Sequence, residues 1–464
     1  MSVRFWALIG AIGCACVASS GSGRATSMEE AVRLSIATNP RVAVFIHNKE
    51  AVDEELRQAR GLYLPQVDLS NGFGHELTND FQTRSRQGST DTRGLWRSES
   101  QIGVTQRLFD GFDVKNRVRR QKARVQAAAR RVFENAEFIG LDAIRSYLEV
   151  VRQRELLALA DDLIAFHLTT LESISKKARA GAGSSADVYQ TEVRLERARA
   201  LRARTQRDLR DAEANYIRIV GQHPADLTRP TFPATALPRD LDAALAGTQT
   251  DNPKVRSLKK DVEAAAAQID VTEAADSPKL NLEAFTAYNN NLDGVQEYEH
   301  VTQLMVRMRW NLYRGGSDRA NQREAAARME EARSRRDEAV IEGEEDMRRA
   351  WNAYVAATER VRRLSRAVQF SIRTRDIYRQ QFAVAQRTLL DVLDAETELF
   401  TTRGQLVTDE INHMQAGYRI LALHGALLRT LSISAPPQTD EGIRDFRDDI
   451  GRHNRPTISG DGDD

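Results

Sequence analysis

The sequence predicts a mainly α-helical chain with some β structure, built as two tandem repeats, each a β-hairpin followed by long antiparallel helices. Three observations carry this prediction. The second half of the chain repeats the first with a single change of offset. Apolar and polar residues alternate with period two in four short stretches. Long proline-free stretches place apolar residues at every seventh position.

Composition sets the outer limits. The 464 residues carry Lys+Arg 67 against Asp+Glu 66, a balance that argues against a nucleic-acid partner. Charged residues make up 29% and aromatics only 6%, which suits long helices better than a broad globular core. Residues 1–25 read as an export signal. Arg4 precedes an apolar run from Phe5 to Val17, and small residues follow. Both cysteines, Cys14 and Cys16, lie in this leader, and lipidation at Cys14 is an alternative to ordinary cleavage. Cleavage would leave a chain without thiols, excluding disulfides and cysteine metal sites.

The repeats occupy 28–221 and 241–431. Asn39-Pro40 matches Asn252-Pro253 and Pro65 matches Pro278, both at an offset of 213. From Gly111/Gly315 the offset becomes 204, and it holds through Asp187/Asp391, Glu192/Glu396 and Gly221/Gly425. The difference falls in a polar loop, where length changes cost little. Residues 222–240, with four prolines, are expected to be a linker, and the acidic stretch 435–464 a disordered tail.

Each repeat opens with a helix broken at its Asn-Pro pair, because proline suits a first turn but not a helix interior. Strands of about ten residues are expected within 64–109 and 279–312. Val67, Leu69, Phe73, Ile102, Val104 and Leu108 alternate with polar neighbours in the first repeat. Leu280, Leu282, Leu304, Val306, Met308 and Trp310 do so in the second. The intervening loops are expected at about 74–98 and 289–300. Two readings fit these strands: hairpins packed on a helical core, or hairpins of a membrane barrel. Four strands cannot close a barrel, for which about eight is the practical minimum, so the second reading requires several chains to share one sheet.

A very long helix follows each hairpin. In the first repeat Val118, Val125, Val132 and Ile139 form one row of a seam, with Ala129, Ala136 and Ala143 four residues after Val125, Val132 and Ile139. Some 65 residues would span roughly 95–100 Å. A rod of that length is either an ordinary coiled coil or the wall of a helical tube. The first rod turns at 180–187, where Gly181 and Gly183 supply conformational freedom and a serine can cap the return helix. The second turns at 382–394, with Ala385 where the first tip has Gly181. Asp391 and Asp394, three apart, share a helix face beside that turn. They read either as solvated carboxylates or as the rim of a tube.

Catalytic signatures are absent: no HExxH, no glycine-rich phosphate loop and no GxSxG occurs, and the eight histidines show no ligand spacing. No enzyme activity, cofactor or metal is therefore expected.

The segment Phe382–Glu396 resembles the tip motif of the TolC family of outer-membrane exit ducts. So do Asn39-Pro40, Asn252-Pro253, the turn Gln106–Phe112, and Leu312–Gly316. The resemblance covers about Met28 to Leu431. The Phe109-Asp-Gly-Phe112 form looks most like members serving type I secretion. The resemblance implies a homotrimer whose twelve strands form one outer-membrane barrel. It implies a helical tube through the periplasm, and docking of a periplasmic adaptor and an inner-membrane transporter. It further implies that Asp391 and Asp394 ring the closed mouth and that Arg387 ties to Asp187. Phe382 stands where an aromatic hydroxyl is usual, so a hydrogen bond is lost there, and Ala385 replaces the usual glycine. Outer-membrane lipid would then face Val67, Leu69, Leu304, Val306 and Met308. A small-molecule efflux duct and a periplasmic coiled-coil scaffold are the alternative readings.

Overall fold

A computed structural model describes residues 27–81, 92–181 and 183–442. The expected export signal and most of the expected disordered tail, beyond residue 442, lie outside these.

Helices α1 (Met28–Thr38) and α2 (Pro40–Gly61) meet at Asn39, whose side chain caps α2 by accepting from the Arg41 amide at 3.0 Å. The second repeat does the same with α5 (Leu241–Asp251), Asn252 and α6 (Pro253–Glu273). Strands β1 (Gln66–Thr78), β2 (Arg93–Phe109), β3 (Lys279–Asn290) and β4 (Tyr298–Arg309) form one antiparallel sheet in sequence order. The two hairpins are thus joined β2 to β3, and β1 and β4 are the outer edges.

The first hairpin is longer than its apolar alternation suggests. Gly72, Gly74 and Ser98 interrupt the pattern, yet pairing continues through Gly72↔Glu99 and Gly74↔Arg97 to Thr78↔Arg93. Phe73 stacks on Trp96 at 5.4 Å, and Arg97 pairs with Glu76 at 2.9 Å, so cross-strand side chains hold what propensity does not. The loop begins after Thr78 rather than at 74.

The register sorts the sheet into two faces. Val67↔Val104, Leu69↔Ile102, Leu282↔Val306 and Leu280↔Met308 place large apolar residues side by side on one face, mostly exposed. Asp68, Arg97, Glu99, Glu283 and Arg307 lie on the other. No core covers the apolar face in the single chain, which is the pattern of a lipid-facing wall. Among the described residues no helix is long and apolar enough to cross a membrane.

Two rods hang from the sheet. Helix α3 (Asp113–Arg179) returns as α4 (Ser185–Val220), and α7 (Ser317–Ala383) returns as α8 (Leu389–Leu423). The seam expected in α3 is buried throughout: Val125, Val132, Ile139, Ala129, Ala136 and Ala143 are all nearly inaccessible. The alanines let α3 lie close against its neighbours.

A belt surrounds the rods at mid-height. The proline-rich linker is strapped down rather than loose. Tyr147 donates to the Thr228 carbonyl at 2.7 Å, and Arg229 pairs with both Glu155 and Glu410. Phe232 sits edge-on against Tyr418, over Gly417, where any Cβ would collide with its ring. The chain after α8 is also ordered further than its composition suggests. A short helix, α9 (Leu427–Thr430), and the segment to residue 442 pack on α3, held by Arg130–Glu441 at 3.0 Å. The fully buried Glu137 accepts from the Leu427 and Leu428 amides at 3.0 and 3.2 Å. Burial pushes its carboxyl up to about 7, against the pull of those two amides.

A carboxyl whose pKa is raised by folding stabilises the protein while protonated in both states and loses that contribution as pH rises through its folded value. Denaturation of the purified protein should therefore show stability falling between about pH 5 and pH 7 by on the order of 3 kcal/mol from this one group. Glu137→Gln should flatten that slope; an unchanged slope would contradict the assignment.

Candidate functional site

The far end of the rods is made by the two helical hairpins. At the first, α3 ends in Lys176, Lys177 and Arg179, whose charges suit a helix C-terminus. Gly181 takes φ +73°, and Gly183 lies so close to the Ala178 amide that a Cβ would sit 3.1 Å from it. Ser184 then caps α4 through the Ala186 amide at 3.1 Å.

At the second tip α7 ends at Ala383, and the Gln386 amide closes the turn on the Gln381 carbonyl at 2.9 Å. That closure requires a left-handed residue, and Ala385 supplies it at φ +61° without the freedom of glycine. Thr388 and Asp391 form a reciprocal capping box that starts α8. The Asp391 carboxylate accepts from the Thr388 hydroxyl at 2.8 Å and its amide at 3.1 Å. These bonds hold its carboxyl below the usual carboxylate range, with Arg387 adding a smaller pull.

Arg387 and Asp187, expected as partners, are not joined within the protomer. The Arg387 guanidinium lies 4.3 Å over the Tyr378 ring, donates to the Gln381 side chain at 3.2 Å and stands 3.7 Å from Asp391. These groups all belong to its own hairpin and hold the side chain there. Asp187 occupies the first turn of α4, where its backbone carbonyl accepts from the Thr191 hydroxyl at 2.8 Å.

The polar tie between the hairpins is another pair. Arg194 of α4 donates to Asp394 of α8 at 2.6 Å and to the Thr397 hydroxyl at 3.4 Å. Nothing in either helix alone marks this pair, because the offset between two helices from different hairpins is not written in their periodicity. His167 is buried at this level with Nδ1 unpaired, and burial together with Arg194 lowers its pKa.

Phe382, with no hydroxyl to offer, makes apolar and cation contacts. Its ring packs with Ile174, Leu389 and Leu393, and the Lys177 ammonium of the first hairpin lies 4.9 Å above it. A cation over the ring face thus links the hairpins at a position without a hydroxyl to donate. Across α7 and α8, Arg375 pairs with Glu396 at 3.2 Å, both largely shielded.

Among the described residues no group of three or more His, Asp or Glu side chains could hold a metal. The tip is a set of weak, separable ties at the end of two rods, each worth about 0–1 kcal/mol where water reaches it.

Comparison with known proteins is consistent with this architecture. The family model described as outer membrane efflux protein matches residues 31–222 and 246–426, that is, both repeats. The outer membrane efflux protein BepC of Brucella suis is 25% identical over 81% of this chain and 80% of its own. The alkaline protease secretion protein AprF of Pseudomonas aeruginosa is 24% identical over 87% and 85%. The crystal structure of the Campylobacter jejuni CmeC outer membrane channel shares the fold, with a TM-score of 0.75 at 13% identity over 86% of each chain.

Ala385→Gly should relieve the left-handed alanine by about 1 kcal/mol. Amide exchange across residues 381–388 should slow by roughly fivefold if this turn opens locally. Exchange that is unchanged or faster would show that Ala385 is not strained.

Proposed function

The chain belongs to the outer membrane efflux protein family, and from that premise we propose that it is a passive outer-membrane duct of a tripartite secretion or efflux assembly. In this reading three copies pool their sheets into a twelve-stranded barrel, and their rods form a tube through the periplasm. A periplasmic adaptor and an inner-membrane transporter dock at the tips and supply the energy. Type I protein secretion is the favoured service, on the likeness to the protease secretion protein and on the Phe109-Asp-Gly-Phe112 turn. Small-molecule efflux is the second reading, supported by the likeness to BepC.

The observation that carries the proposal is the amphipathic four-stranded sheet with two bare edges. In lipid each unpaired backbone group costs several kcal/mol, so edges must find partners, and four strands cannot pair their own. A second feature supports identical copies as those partners. Helix α7 leaves Ile341, Val355, Phe370 and Ile377 exposed, spaced close to multiples of seven. Such a stripe suits packing against another helix.

At the tip we assign Asp391 and Asp394 to the mouth, with Arg387–Asp187 as a tie between neighbouring protomers, since neither residue pairs with the other inside its own chain. Arg194 and Arg387 each stand beside one of the two aspartates, so the charge of the mouth is largely balanced. The tips are then held inward by few and weak interactions. A partner that prefers the open form by a few kcal/mol suffices to shift the population.

Planar-bilayer recordings of the purified trimer test these roles. Arg387→Ser and Asp187→Ala should each raise conductance, and parental conductance in both would remove the tie. Arg194→Ala, which leaves Asp394 unbalanced, should increase cation preference, whereas Asp391→Ala with Asp394→Ala should decrease it. Unmoved reversal potentials in a salt gradient would place these residues away from the mouth.

A further inference from the structure

The lipid-facing side of the sheet is uniform in one respect. Alternate residues along Val67–Leu77, Gly94–Leu108, Leu280–Asn290 and Tyr298–Met308 share this face, and none is Asp, Glu, Lys or Arg. The only groups on it able to carry positive charge are the imidazoles of His75 and His300.

Both stand toward the loop ends of their hairpins: His300 shares a row with Tyr288, Ser100 and Asn71, and His75 lies four residues beyond that row on β1. From the row Ala284↔Leu304 downward the face is apolar, apart from Gln106, and ends at Trp310, whose indole donates to the Asp276 carbonyl at 3.0 Å. On the second hairpin it turns polar upward at Thr286↔Thr302, whose hydroxyls lie 3.0 Å apart. The next pair is Tyr288↔His300, stacked at 4.3 Å with rings nearly parallel, and His300 Nε2 lies 3.0 Å from the Thr286 hydroxyl. Ten residues separate His300 from Trp310. At a strand rise of about 3.3 Å and a tilt of about 40°, they span roughly 25 Å of barrel height. That is about the height of the apolar band of an outer-membrane barrel. His300 therefore stands where the outer hydrocarbon ends and headgroups begin. On the first hairpin His75 stands edge-on to Trp96 at 5.4 Å, with Asn71, Ser98 and Ser100 on the same face. The nearby carboxylates, Glu76, Glu99 and Glu299, all point to the opposite face.

We propose that this cluster, centred on His300 with Tyr288, Thr286 and Thr302, binds the phosphate-bearing sugar headgroup of an outer-leaflet glycolipid, with His75 beside Trp96 as a second contact higher on the first hairpin. Imidazole and hydroxyl groups donate to phosphate oxygens. The exposed faces of Tyr288 and, higher on the first hairpin, Trp96 offer stacking surfaces to sugar rings. The absence of acidic side chains on this face leaves an anion unopposed. The proposal rests on the sheet being a barrel wall in the outer membrane, and not on what the duct carries.

The test uses the purified trimer in detergent and follows its thermal midpoint and the lipid retained in native mass spectra. The probes are lipopolysaccharide, the same lipid after phosphatase treatment, phosphatidylethanolamine and inorganic phosphate. Lipopolysaccharide should raise the midpoint and be retained, and the dephosphorylated lipid should do so at least fivefold more weakly. His300→Gln with His75→Gln should lose the difference between the two glycolipids while keeping the parental midpoint without lipid. An equal response to both glycolipids, or an unaltered response in the double variant, overturns the proposal. Inorganic phosphate matching lipopolysaccharide overturns the lipid as the ligand. Should the double variant be unstable, Thr302→Val provides the second arm, with weakened retention expected and full retention contradicting. Conductance should remain parental throughout, which separates failure here from failure of the duct assignment.

Discussion

The structure turns on the unpaired edges of its sheet. Strands β1 and β4 present free backbone N–H and C=O groups, and between them the sheet offers a broad apolar face with no core of its own to cover it. Water would tolerate the edges but not the face, and lipid would tolerate the face but not the edges. Closure of several such sheets into one barrel satisfies both. The rest of the chain follows from that closure, because a barrel shared between copies fixes where each pair of rods begins.

The rods and belt transmit this arrangement to the tip. The α3 seam alternates valine or isoleucine with alanine, which lets helix axes approach closely over residues 118–143. The belt fixes the rods at mid-height with polar bonds into buried positions, of which Glu137 on the α9 amides and Tyr147 on the linker carbonyl are the clearest. Below the belt the two hairpins meet at the tip through Arg194–Asp394 and Lys177 over Phe382.

Much of this was legible in the sequence because it is periodic. The repeat offsets placed both Asn-Pro breaks and both rods. The seven-residue spacing from Val118 to Ile139 identified the buried row, and alternation found the four strands. The missed features depend on distance in space rather than in sequence. The first hairpin outran its apolar pattern because Phe73–Trp96 and Arg97–Glu76 support it across strands. The linker and the segment after α8 looked loose by composition, yet Arg229 and Arg130 pin them to carboxylates on other helices. At the tip the turns and the Thr388–Asp391 box follow from local rules. Arg194–Asp394 does not, because the register between hairpins is set by packing alone.

The shared barrel is open to a direct measurement. With both native cysteines confined to the leader, cysteine pairs can be placed across β1 and β4, one on each edge, over several registers, and oxidised in intact outer membranes. The account requires at least one register to yield a covalent ladder of dimers and trimers that ends at three chains. Monomers alone in every register would show that these edges never meet, and the duct would have to be abandoned.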